Sequence, residues 1–265
     1  MQTKLTAEKE TLLITLCAKA SDYRDEHSIL NDKIASDIVE NAGIDVKKYG
    51  GFGNRVIVVR ARQYDEWVKE FLASNKNSLV VYMGCGMDAR VKRLDLPPNT
   101  KWFDVDYPEV ITFRKEFFTE NDRYRMISSS ITQPDWFREI PADRPTLIIA
   151  EGVFEYMTKE EVQVLLNRLT DHFRHGEIMF DVMNTFAINS GKEELKKTTG
   201  AIHKWAVDDV KDVDALNKRL TRVDYISLFK SKFMKKLPLN LRIILGTVSI
   251  FPSFRKSMQL LRYKF

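Results

Sequence analysis

Three places in the sequence carry residue types and spacings that suit chemistry. In Gly84-Cys85-Gly86-Met87-Asp88-Ala89, which follows the apolar run Leu79 to Met83, the glycines let the chain turn sharply and a ligand approach bare backbone. Asp106 stands 20 residues beyond Gly86, at the end of a second apolar run, where a carboxylate can accept hydrogen bonds from both hydroxyls of a ribose. The pair predicts an adenosine-type ligand. Gly-x-Gly-x-x-Ala would equally suit a dinucleotide, and a plain turn beside a solvated Asp is the alternative without chemistry. Third is Glu151-Gly152, after the apolar run Thr146 to Ala150, whose carboxylate suits a ligand-facing role and a structural ion pair equally well. Cys85 reads as a small packed residue, since no His lies near it in sequence to activate a thiol.

These residues need a scaffold that brings the ends of several strands together. Leu79 to Met83, Trp102 to Val105, Tyr124 to Ile127, Thr146 to Ala150 and Ile178 to Val182 are short continuous apolar runs, as expected of strands covered on both faces. Helical stretches, notably 108–118 and 159–173, alternate with them, and Thr158-Lys159-Glu160-Glu161 reads as a helix N-cap. The alternation predicts a doubly wound α/β fold with a mostly parallel sheet, whose ligands bind at the carboxyl ends of the strands. Residues 5–42 read as a helical cap. After the Gly-rich break at 49–53 a mixed stretch from Val56 leads into a helix over 64–74. Beyond Asn184 a charged, helical insertion runs to about residue 220, with strand-like segments at 223–229 and 258–265. We expect one domain over 1–265, with a helical cap at about 1–55 and a lid insertion at about 186–220.

Composition narrows the classes. Two cysteines, Cys17 and Cys85, make no disulfide framework, and no signal-like segment opens the chain, so a cytoplasmic setting is expected. The longest apolar stretch, Leu241 to Pro252, is interrupted by Arg242, Gly246 and Ser249 and falls short of the roughly 20 residues a bilayer span needs, so no membrane span is expected. The net charge of +5 is uneven: from Ile226 to Phe265 there are nine Lys or Arg and no Asp or Glu. Such a block could meet an anionic partner, but it reads first as a solvated face beside a core element. Neither a nucleic-acid partner nor a metal site is expected, and nothing in the sequence sets the oligomeric state.

The motifs Val81-Tyr82-Met83-Gly84-Cys85-Gly86-Met87-Asp88-Ala89-Arg90, Phe103-Asp104-Val105-Asp106-Tyr107-Pro108 and Glu151-Gly152-Val153-Phe154-Glu155-Tyr156-Met157 stand in an order that resembles the leucine carboxyl methyltransferase family, including its polyketide O-methyltransferases of the tetracenomycin type. The resemblance runs from about Thr11 to Asp181 and more faintly to the end. It implies a Rossmann-like class I methyltransferase fold, with a seven-stranded sheet whose last strand is antiparallel and with helical lid insertions. It also implies S-adenosylmethionine as cofactor, with S-adenosylhomocysteine as product. By the same resemblance Arg60 clamps the methionine carboxylate, with Arg62 able to exchange roles, and Lys19 is a basic cap position that reaches the same group. Gly84, Cys85 and Gly86 pass beneath the cofactor, Asp106 with Tyr107 holds the ribose, and Glu151-Gly152 approaches the methionine part. This sequence has Ser129-Ser130-Ile131 where the family commonly places an Asp and an apolar residue around the adenine, so Ser130 and Ile131 take that place.

The function expected is methyl transfer to a carboxylate or hydroxyl of a small molecule such as a polyketide-like metabolite. A carboxylate needs no base; a phenol or alcohol is helped by one, and His203 and His27 in the lid segments are the candidates. Tyr23, Phe186 and Trp205 could line an aromatic acceptor pocket, and the basic tail would suit an acidic acceptor. Three other readings stay open: methylation of a protein C-terminal carboxylate, an NAD-dependent oxidoreductase built on the same glycine loop, and a cofactor-binding regulatory module without turnover.

Overall fold

The computed structural model describes residues 5–51 and 53–265, and each of the five expected apolar runs forms a strand. They are β1 (Leu79–Met83), β2 (Lys101–Asp106), β3 (Tyr124–Ser128), β4 (Thr146–Ala150) and β5 (Gly176–Met183), joined by β6 (Thr221–Ser227) and β7 (Met258–Lys264). The sheet order is β3-β2-β1-β4-β5-β7-β6, with β1 to β5 parallel and β7 antiparallel to both its neighbours. This is the expected seven-stranded architecture. The order reverses between β1 and β4, which places the ligand crevice above the ends of those two strands.

The strands are apolar throughout because both faces are covered. Val80, Tyr82, Leu147 and Ile149 face one core with the N-terminal helices, whereas Val81, Met83, Ile148 and Ala150 face the other. The main helices are α1 (Thr11–Tyr23), α2 (Lys33–Asn41), α3 (Asn54–Ser74), α4 (Pro108–Arg114), α5 (Lys159–His172), α6 (Thr185–Thr199) and α7 (Leu239–Val248). Thr158 caps α5 reciprocally with Glu161, as its sequence predicts.

Several boundaries differ from expectation. The cap is not continuous over 5–42: Asp22 accepts hydrogen bonds from the backbone N–H groups of Ile29 and Leu30, a local turn that competes with the helix, and Asp32 then caps α2. α3 begins at Asn54 rather than Tyr64, because Val58 and Val59 are fully buried and packing outweighs the weak helix propensity of a β-branched run. Part of the Gly-rich break, Phe52, lies outside the described residues. The segment expected as a lid, 186–220, is helical only over α6 and a short turn at Lys211–Asp214, and its intervening residues are irregular. In the basic segment Leu228, Phe233, Leu237 and Leu245 are buried while Lys230, Lys232, Lys235 and Lys236 are exposed, so these lysines form a solvated face beside core residues, whereas Leu239, Ile243, Ile244, Ile250 and Phe251 farther along are exposed as well. Among the described residues no helix is long and apolar enough to cross a membrane.

Gly176 opens β5 where the sheet tolerates no side chain: a Cβ there would stand 1.9 Å from the backbone oxygen of Thr146 on β4. Gly176→Ala should therefore force these strands apart, costing about 1–3 kcal/mol. Thermal unfolding should show this as a midpoint lowered by several degrees, and an unchanged midpoint would mean that the β4–β5 pairing adjusts freely.

Candidate active site

A cavity of about 320 Å³ opens above the carboxyl ends of β1, β2 and β4, a size within the range of small-ligand sites. Ten of the eleven site residues expected from sequence line it: Lys19, Arg60, Gly84, Cys85, Gly86, Asp106, Tyr107, Ile131, Glu151 and Gly152. Ser130 does not. The chain turns directly after β3, with the Gln133 N–H donating to the Ser130 carbonyl and the Ser130 hydroxyl sharing a hydrogen bond with Thr132, so Ser129 faces the cavity in its place.

The floor is shaped by residues that tolerate little else. Gly84 has φ +62°, and a Cβ there would meet the Val153 side chain at 2.5 Å. Gly152 has φ +69°, and its Cβ would press on the Arg60 guanidinium at 3.0 Å. Cys85 is buried, and burial first of all, with Asp104 beside it, holds its thiol well above the usual range, as a packed rather than nucleophilic cysteine requires. At one end Asp106 accepts from the backbone N–H groups of Gly86 at 2.8 Å and Tyr107 at 2.7 Å. Burial pushes its carboxyl up to about 6 despite those bonds.

At the other end lies a buried ionic network largely invisible in the sequence. Arg60, on α3, donates from Nε to Glu151 at 3.1 Å and from Nη1 to Asp181 of β5 at 2.9 Å. Its Nη2 has no hydrogen-bond partner among the described residues and lies against Gly152. Arg90, with no exposed surface, donates to Asp65 and to Glu151, each at 2.7 Å. Arg93 bridges Asp65, Asp88 and Asp32, and Lys19 meets Asp88 at 2.5 Å. Burial opposes the charge on Glu151 and Asp88, but the arginines beside them hold both carboxyls below their ordinary range. Four cations thus face five carboxylates, Asp32, Asp65, Asp88, Glu151 and Asp181. The surplus is negative, which favours a ligand of net positive charge.

Sequence reasoning named Lys19, Arg60 and Glu151 but missed Asp32, Asp65, Asp88, Arg90, Arg93 and Asp181. The available signal was charge inside apolar context: Asp181 interrupts the fifth apolar run, and Asp88 and Arg90 stand within the glycine motif itself. Glu151 joins ion pairs with Arg60 and Arg90 and also lines the cavity.

The aromatic acceptor pocket expected from Tyr23, Phe186 and Trp205 is not formed, because none of the three lines the cavity. Phe186 is turned outward and meets Phe254 edge-on, and Trp205 packs against the core cluster that includes Val207 and Val213. Tyr156, Met157, Met183, Leu195, His203 and Met258 line that side. Of the two candidate histidines, His203 lies at the cavity and His27 lies on the surface beside Glu26.

Comparison with known proteins gives the chain its family and its fold relatives. The family model for leucine carboxyl methyltransferase matches residues 12–170. The tetracenomycin polyketide synthesis O-methyltransferase TcmP of Streptomyces glaucescens is 33% identical over 99% of this chain and 98% of its own. The S-adenosyl-L-methionine-dependent methyltransferase dpfgK of Gibberella zeae is 32% identical over 79% of this chain and 78% of its own. A crystal structure of a putative methyltransferase from Thermobifida fusca shares the fold over 93% of both chains, with a TM-score of 0.62 at 12% identity. By family model and by full-length relatedness alike, this chain belongs to the leucine carboxyl methyltransferase family of S-adenosylmethionine-dependent methyltransferases.

Proposed function

We propose that the chain transfers the methyl group of S-adenosylmethionine to an oxygen of a small, largely apolar acceptor, such as a polyketide-like metabolite. The observation that carries this reading is one cavity with a buried carboxylate, Asp106, at one end and the Arg60–Glu151 pair at the other, joined by a glycine floor. The residues fit the cofactor. Asp106 has free lone pairs for two ribose hydroxyls, and Tyr107 closes over that end. Ile131 offers an apolar cover for the adenine, with the Ser129 hydroxyl nearby in place of Ser130. Gly84, Cys85 and Gly86 leave room for the cofactor's central part. The open Nη2 of Arg60 suits the methionine carboxylate, and Glu151 beside Gly152 suits the ammonium group. Lys19 contributes through Asp88, since its ammonium is already engaged there.

When bound, the cofactor supplies a methyl group on a sulfonium, and the protein's part is alignment and exclusion of water. The negative surplus around Glu151 and Asp88 favours the sulfonium form over its neutral product, which helps release the product after transfer. A small-molecule acceptor is favoured over a protein C-terminus because the alignment with the polyketide-synthesis relative spans the whole chain. Membership of the family leaves the oxidoreductase reading of the glycine loop without support.

Three outcomes test these assignments. Asp106→Ala should weaken S-adenosylmethionine binding at least tenfold in calorimetric titration with the fold retained; for the wild type, affinity should fall as pH drops below about 6, where the Asp106 carboxyl takes up a proton. Arg60→Ala should weaken binding and also destabilise the protein by about 3–5 kcal/mol, because Glu151 and Asp181 lose a buried partner. Urea unfolding would register that second effect, and its absence would reduce Arg60 to a ligand contact. Cys85→Ala should bind as the wild type does; loss of binding there would mean that the thiol is more than packing.

A further inference from the structure

The basic C-terminal segment carries more than solvated lysines. α7 packs on the core of the N-terminal helices through Leu245, which is buried, and Leu241, which is half-buried. Its other side is apolar and bare: Leu239 is 67% exposed and Ile243, one turn on, 60%. Ile244 is exposed beside them, and a Cβ at Gly246 would meet nothing within 4 Å. In the turn that closes the helix, the Ile250 and Phe251 N–H groups donate to the Thr247 and Val248 carbonyls, and the two side chains are left 70% and 66% exposed. No large apolar side chain elsewhere among the described residues is as exposed as Leu239, Ile243, Ile250 or Phe251.

Charge and hydrogen bonding decide what covers this face. Of the nine Lys and Arg between Ile226 and Phe265, Lys232, Arg262 and Lys264 have acidic partners elsewhere in the fold. The other six, Lys230, Lys235, Lys236, Arg242, Arg255 and Lys256, have none among the described residues, and they bracket the apolar stretch along the chain. The hydroxyls within the patch are already engaged: that of Thr247 donates to the Ile243 carbonyl at 2.9 Å and that of Ser249 to the Gly246 carbonyl at 2.8 Å. The face can therefore leave water without stranding a hydroxyl. An apolar ridge among uncompensated cations matches the acyl boundary and anionic headgroups of a lipid bilayer. A second copy of this chain fits less well, because a two-fold contact across the patch would set these cations against their own kind. Nucleic acid also fits less well, since phosphates are met by donors and the bare Leu and Ile side chains offer none.

We propose that α7 and the Ile250–Phe251 turn form a peripheral docking surface for an anionic lipid bilayer. The apolar side chains enter the headgroup boundary, and Lys235, Lys236, Arg242 and Lys256 meet the lipid phosphates. At 10 residues the helix is too short to span a bilayer, so it lies along the surface. Both parts of the patch are needed, because a few cations or a few apolar side chains alone hold a protein only weakly at a membrane. The proposal goes beyond the methyl-transfer reading and does not rest on it. None of these residues lines the cavity, so docking and cofactor binding are separable.

The test is cosedimentation of the full chain with vesicles of phosphatidylcholine alone and of phosphatidylcholine with about 30% phosphatidylglycerol, at about 0.1 M salt. The wild type should bind the anionic vesicles at least about tenfold more tightly than the neutral ones, and about 1 M salt should erase most of that preference. Ile243→Ser with Phe251→Ser, and separately Lys235→Gln with Lys236→Gln, should each weaken binding to anionic vesicles about tenfold and leave S-adenosylmethionine affinity unchanged. Equal binding to both vesicles, binding to neither, or full binding by the serine pair would overturn the proposal. Inertness to vesicles joined to dimerisation through this face, or to retention of a DNA duplex, would overturn it in favour of that occupant. Phe251→Trp gives a reading that does not depend on the other variants folding. Brominated phosphatidylcholine in the anionic vesicles should quench its fluorescence beyond that of the wild-type tryptophans, and no added quenching would overturn insertion.

Discussion

The structure depends most on the pairing of Arg90 with Glu151 and Asp65. A guanidinium with no exposed surface is tolerated only beside opposite charge, and here its Nε and Nη2 reach a helix of the N-terminal side and the end of a central strand together. Around that pair, Arg60 ties α3 to β5 through Asp181, and Arg93 with Lys19 ties α1, Asp32 at the start of α2, and the loop after β1 through Asp88. The N-terminal helices are thus held to the sheet by charge at the ligand end and by apolar packing, such as Leu16 and Val58, below it. Removing one partner would strand the others in a medium that cannot solvate them.

The same network sets the electrical character of the cavity. Its cations are nearly all engaged, its carboxylates are in surplus, and Asp106 and Glu155 add two groups whose ionisation is held back by burial. A cationic cofactor relieves that surplus, and its neutral product does not. Binding and product release would then draw on a single electrostatic imbalance rather than on separate devices.

Much of the fold was legible residue by residue. Short apolar runs such as Leu79–Met83 and Thr146–Ala150 could only be strands buried on both faces, and Thr158 with Glu161 announced the start of α5. What misled was local evidence that tertiary packing overrode: Val56 to Val59 are β-branched yet helical, and Asp22 draws the chain out of a helix that its neighbours favour. Phe186 and Trp205 were chosen for chemical type, and type alone cannot say which side of a lid an aromatic ring faces.

By itself the sequence determined the order of strands and helices, the glycine turn after β1 and the carboxylates at the ends of β2 and β4. These follow from short-range rules of periodicity, turn geometry and spacing. Only the tertiary structure decided that Arg90, Asp65, Asp88 and Asp181 form one network, that Ser129 and not Ser130 faces the cavity, and that Glu155 and His203 share a wall. The physical reason is that pairing between charges far apart along the chain, and the loss of their solvent, are properties of folded space. A linear pattern shows that a charge is present but not which opposite charge will stand beside it once water is gone.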